Sequence, residues 1–127
     1  MAILLHHGVV ATINSDSDER ARRLNIDAAK MMRYGGLTED EAMKIITYNG
    51  AVQLGIQNKV GSLEVGKDAD VVVWNAHPLS VYSSAETTFI DGEKFFDKKI
   101  DLANRDKTEK ERVALMQEEA GRRVIVP

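Results

Sequence analysis

The chain has 127 residues, of which 43% are hydrophobic and 29% are charged, as in a folded globular protein with a core. Its net charge of −3 argues against general nucleic-acid or anionic-membrane binding, since such proteins carry a basic excess. It has no cysteine, so any metal must be bound by histidine or carboxylate side chains. No apolar run approaches the roughly 20 residues that span a bilayer, and no secretory signal is visible. The sequence leaves the compartment open and slightly favours a soluble cytoplasmic protein.

The first predicted elements belong to an α/β unit. Residues 2–7 are predicted to be the last turns of a helix that ends at Gly8, because glycine adopts the left-handed conformation after a helix at the least cost. Residues 9–13 are a short apolar, β-branched run without alternation, which predicts a strand covered on both faces, as in a parallel sheet. A polar cluster follows at 14–19, at the carboxyl end of that strand, where α/β sheets and barrels bind ligands.

Three helical stretches are predicted next. Residues 24–34 have a helical apolar pattern that ends at two glycines. Thr38 and Glu41 have the spacing of a capping box, which predicts the start of a second helix. Asn49 is predicted to cap a further short helical turn that Gly55 closes.

The second half of the chain is predicted to be rich in β-structure. Residues 71–74 form an all-apolar strand, and residues 87–96 form a hairpin around Asp91-Gly92, a strong turn signal. The tail is predicted to be a charged helix from about residue 102. In this helix acidic residues precede basic ones by four positions, and the thin apolar stripe indicates a surface position.

Three features in this order resemble the C-terminal end of an amidohydrolase-superfamily enzyme. The first is the hydrophobic run that ends in Ser15-Asp16. The second is the stretch 38–55, which ends in Tyr-Asn-Gly-Ala-Val-Gln-Leu-Gly. The third and most specific is Val-Gly-Ser-Leu-Glu-Val-Gly-Lys-Asp-Ala-Asp-Val-Val-Val-Trp at 60–74. The resemblance covers roughly residues 1–97 and is closest to the branch of imidazolonepropionase-like and Xaa-Pro dipeptidase-like proteins.

The resemblance implies an α/β fold in three parts. Residues 1–57 would form the last strand and following helices of a (β/α)8 TIM-like barrel, residues 58–97 the strands of a small β-sandwich domain, and residues 98–127 a charged helical tail. The implied reaction is hydrolysis of a C–N bond, in an amide or cyclic amide, through a metal-activated water. Asp16 matches the aspartate after the eighth strand, so the resemblance makes it a metal ligand and the catalytic base. The implied cofactor is a divalent metal, with zinc favoured.

The chain departs from this family in its metal ligands and its size. It has no His-x-His pair, and its histidines are His6, His7 and His77. A complete barrel needs about 250 residues, and a catalytic zinc needs about three protein ligands. We therefore expect no tight metal binding and no activity from this chain alone.

The partners expected for the chain follow from the same departures. They are the remainder of the barrel, in the same polypeptide or a separate chain, and a small-molecule substrate. Nucleic acid and membrane are not expected, and homo-oligomerisation is left open. The alternatives are a non-enzymatic subunit that pairs with a partner chain through exposed strand edges, and a small α+β binding module that folds alone.

Other polar residues have structural alternatives to a role in catalysis. Asp16 could be a helix N-cap or a surface turn residue. Asp18 and Glu19 are favoured as solvated loop acids over metal ligands. Arg20, Arg22 and Arg23 are favoured as a solvated or ion-paired helix start over a clamp for a substrate carboxylate. His6-His7 precede the predicted strand, away from the active face, and His77 is favoured as a loop residue.

Structural roles are predicted for Gly61, Gly66 and Asp70 in turns, and for Trp74 in the core or at a domain interface.

Overall fold

A computed structural model describes residues 1–123 of the chain. The helices precede a single antiparallel sheet, and one long helix follows it. This arrangement confirms the predicted α/β class, whereas the domain boundaries after residues 57 and 97 stay predictions. The elements are α1 (Ala2–His6), α2 (Asp18–Ala21), α3 (Leu24–Gly35), α4 (Glu39–Lys44), α5 (Tyr48–Leu54), β1 (Val71–Trp74), β2 (Ala85–Ile90), β3 (Glu93–Asp97) and α6 (Lys98–Arg123).

The buried strand predicted at 9–13 is not formed within residues 1–123. This segment pairs with no strand among residues 1–123, and Val9 and Val10 are 48% and 44% exposed. A strand is defined by ladder hydrogen bonds to a neighbouring strand. The three strands described here pair only with one another, so the segment is left without a ladder.

The hydrophobic core lies between α3 and α4. Ala28 and Ala42 are wholly buried, and their small side chains allow the two helices to approach closely. Leu79, from the loop after β1, belongs to the same cluster. The side-chain amide of Asn25 donates to the Pro78 carbonyl at 2.7 Å. The loop that follows the first strand is therefore fastened to the helical half.

The capping box at the start of α4 is confirmed. The Glu41 N–H donates to the Thr38 hydroxyl at 3.3 Å, and the Thr38 N–H donates to the Glu41 carboxylate at 2.8 Å. The hydrogen bonds from Thr38 lower the pKa of Glu41 below its ordinary value of 4.5. The ionised Glu41 carboxylate therefore stabilises the folded protein fully above pH 4.5. This contribution to the free energy of unfolding is lost as the pH falls through the lowered pKa of Glu41.

We expect Thr38→Ala to lower the free energy of unfolding by about 1 kcal/mol, because it removes the acceptor of an N-cap hydrogen bond. Urea unfolding followed by circular dichroism measures the loss. Thr108→Ala, at an exposed position inside α6, is the matched control and should not lower the stability. An equal loss in both variants would contradict a specific role of the cap.

The sheet has the order β1-β2-β3. The hairpin between β2 and β3 turns at Asp91 and Gly92, with φ of 50° and 79°, as a two-residue turn of the type favoured in hairpins requires. The predicted hairpin is confirmed, with strands that begin and end slightly outside the predicted range. Asp70 accepts the Asp91 N–H at 2.9 Å, which confirms its structural role in a turn. A second sheet is not found in residues 1–123, so the β-sandwich stays a prediction.

The segment before β1 is packed tightly on α5. Gly61 has a φ of 94°, and a Cβ added there would lie 2.8 Å from the Ala51 Cβ and 3.0 Å from the Tyr48 Cα. The Lys67 ammonium donates to the Ser62 hydroxyl at 2.5 Å. It also lies 5.6 Å from the centroid of the Tyr48 ring, within cation–π range. The turn therefore requires glycine and joins the sheet to the helices.

Trp74, at the end of β1, is half-buried. With Met43 and Ile46 it lines an apolar cavity of about 540 Å³, where a large aromatic side chain contributes apolar area. Trp74, predicted to lie in the core or at a domain interface, thus lines this cavity together with residues of the helical half.

Helix α6 begins earlier than the predicted residue 102. Lys98 donates to the Ser84 hydroxyl and the Glu86 carboxylate, both at 2.8 Å, and these bonds fasten the first turn of the helix to the sheet. Residues 124–127 of the predicted tail lie outside the described residues.

The predicted surface position of α6 is confirmed. Val113 and Met116, in its apolar stripe, are 43% and 59% exposed. Arg122 donates to Glu118 at 2.6 Å, the acid-first pair expected from the spacing of four. None of the helices in residues 1–123 has both the length and the apolar character needed to span a membrane.

Candidate active-site segment

The segment that precedes Asp16 is held from one side by Ile45, the residue directly after α4. The Ile13 N–H donates to the Ile45 carbonyl at 3.0 Å, and the Thr12 hydroxyl donates to the same carbonyl at 2.7 Å. Ile45 is wholly buried in the core. The end of the segment is therefore tied to a rigid part of the molecule.

Two side-chain amides of α5 hold the middle of the segment. Asn49 donates to the Ala11 carbonyl at 2.9 Å, and Gln53 donates to the Val10 carbonyl at 3.0 Å. These side chains are four residues apart and therefore lie on one face of the helix. The prediction that Asn49 caps a helical turn was wrong: α5 starts at Tyr48, and Thr47 is its N-cap residue. The Asn49 side chain instead binds a backbone carbonyl 38 residues away.

Asp16 lies in an exposed loop directly after this segment. Its φ is 45°, in the left-handed region that aspartate tolerates better than most residues. Asn14 bridges it twice: its Nδ2 donates to Asp16 Oδ1 at 2.9 Å, and its Oδ1 accepts the Asp16 N–H at 3.4 Å. Ser17, rather than Asp16, is the N-cap residue of α2. The N-cap alternative for Asp16 is therefore wrong.

The neighbouring acidic and basic residues form local contacts. Asp18 Oδ1 accepts the Glu19 N–H at 2.9 Å, and both residues are exposed. Arg20 lies 3.7 Å from Asp27, which also contacts Lys30 at 2.7 Å. The hydrogen bond from Lys30 is the main reason that the pKa of Asp27 is lowered. The favoured interpretation of Arg20 as part of an ion-paired helix start is confirmed.

A shallow cleft of about 320 Å³ lies beside the loop. Its polar wall includes Asn14, Ser15 and Arg20, so the cleft opens next to the residues that flank Asp16. Arg22 and Arg23 do not line it and are exposed.

The histidines have local partners. A ring nitrogen of His7 contacts the Ile3 carbonyl at 2.8 Å, and His6 is exposed at the end of α1. His77 contacts Glu39 through Nε2, and its Nδ1 accepts the Leu79 N–H at 3.3 Å.

Asp16 is the candidate metal ligand, and the residues around it do not complete a metal site within residues 1–123. Among residues 1–123, no three His, Asp or Glu side chains converge on a position that a metal ion could occupy. The Asp16 carboxylate is exposed, and its Oδ2 accepts no hydrogen bond from the described part of the chain. It fits the chemistry of one oxygen ligand, whereas a catalytic site needs about three protein ligands. Sequence reasoning missed Asn14, although its position two residues before Asp16 is typical of a side-chain-to-backbone turn.

The model of the amidohydrolase family matches residues 1–108. Amidohydrolase tasK of Hapsidospora irregularis is 35% identical over 83 residues, which are 65% of this chain and 8% of that protein. The imidazolonepropionase of Pseudomonas syringae pv. tomato is 40% identical over 81 residues, which are 59% of this chain and 20% of that protein.

A solved structure agrees with these relatives. The crystal structure of an amidohydrolase from Thermotoga maritima is 40% identical, with a TM-score of 0.69, and the match covers 76% of this chain and 25% of that one. The chain thus spans a quarter or less of the proteins described here. The family match extends over most of its length, through Asp16, the helices and the sheet, and shows that the chain belongs to the amidohydrolase family.

Proposed function

We propose that this chain is the C-terminal part of a metal-dependent hydrolase that cleaves C–N bonds in amides or cyclic amides. The observation that carries the proposal is the family match over residues 1–108, which includes an exposed aspartate that follows an apolar segment. The name of the imidazolonepropionase relative supports a cyclic amide as the substrate class. The non-enzymatic alternative has no comparable support, since both relatives are named as enzymes.

In this proposal, residues 9–13 are the last strand of the barrel. The exposure of Val9 and Val10 supports this, because apolar β-branched side chains on an extended segment are typical of a strand that neighbouring strands cover. The remaining barrel segments, in the same polypeptide or in a separate chain, are the proposed partner. The sheet β1-β2-β3 would form part of the small β-sandwich domain.

The chain would contribute one carboxylate to the chemistry. A bound divalent metal, with zinc favoured, would lower the pKa of a water molecule toward neutrality. Asp16 would contribute Oδ2 to the metal site and accept a proton from the attacking water at that carboxylate. The water oxygen forms the new bond to the carbonyl carbon, the C–N bond breaks, and Asp16 returns the proton to the leaving nitrogen.

Removal of the metal tests this proposal in the intact enzyme, meaning the polypeptide or complex in which residues 1–127 are joined to the rest of the barrel. We expect it to hydrolyse imidazolonepropionate or another cyclic amide. We expect dialysis against a chelator to abolish this activity and added zinc to restore it. The 127-residue chain alone is the control and should be inactive. Hydrolysis that survives metal removal, or that the short chain performs alone, would contradict the proposal.

A further inference from the structure

We draw no further inference here: the strongest candidate, the apolar cavity of about 540 Å³ that Met43, Ile46 and Trp74 line between the helices and β1, carries nothing because no feature of residues 1–123 shows what covers or fills it.

Discussion

Asp16→Asn is expected to lower kcat/KM of the intact enzyme by roughly 100- to 10,000-fold, the range that a positioned general base contributes. Asparagine has the size of aspartate and tolerates the left-handed backbone that Asp16 adopts, with its φ of 45°. The loss should therefore occur without a change in the melting temperature. Steady-state kinetics with imidazolonepropionate and thermal unfolding measure the two quantities.

The matched control for this prediction is Asp18→Asn. Asp18 is an exposed carboxylate two residues away, and its Oδ1 accepts the N–H of the neighbouring Glu19 at 2.9 Å. Its replacement should change kcat/KM little. If Asp16→Asn kept nearly full activity, or if both variants lost activity equally, Asp16 would not be the base.

Gly61→Ala is expected to lower the free energy of unfolding by more than about 2 kcal/mol, because overpacking costs about 1–3 kcal/mol and a left-handed backbone adds about 1–2 kcal/mol for a residue with a Cβ. The new Cβ would lie 2.8 Å from the Ala51 Cβ and 3.0 Å from the Tyr48 Cα. Neither can move without shifting α5. Urea unfolding measures the loss.

Gly66→Ala separates the two causes. Gly66 has the same φ of 94°, but a Cβ there would have no neighbour within 4 Å. Only the backbone cost, about 1–2 kcal/mol, should appear. If the two variants lost equal stability, the close approach of Gly61 to α5 would not matter for the fold.

The elements that sequence reasoning located are those with local signals. The capping box of Thr38 and Glu41 and the Asp91-Gly92 turn each fix their own backbone, so their prediction requires no knowledge of the rest of the chain. The segment 9–13 has the composition of a strand, but a strand also requires a neighbour. The apolar composition of residues 9–13 can be recognised in the sequence, whereas the strand that would pair with them is not among residues 1–123, so no strand forms there.

The candidate site was predictable only in part. Asp16 was identified through its resemblance to a family and its position after an apolar run, and its role stays a prediction. Asn49 is suited by type to cap a helix, yet it binds a carbonyl 38 residues earlier. A side chain that binds a distant backbone group leaves no periodic pattern, so such contacts are found only in three dimensions.

The hydrogen bonds that hold the segment before Asp16 also constrain the order of folding. They join residues that are 33, 38 and 43 positions apart, and contacts of this separation require closure of a long loop before they stabilise anything. We therefore expect residues 10–12 to acquire these bonds only after the chain has folded as far as α4 and α5. During synthesis of the chain, the segment emerges well before the residues that anchor it. We therefore expect the contacts of this segment to form late in folding.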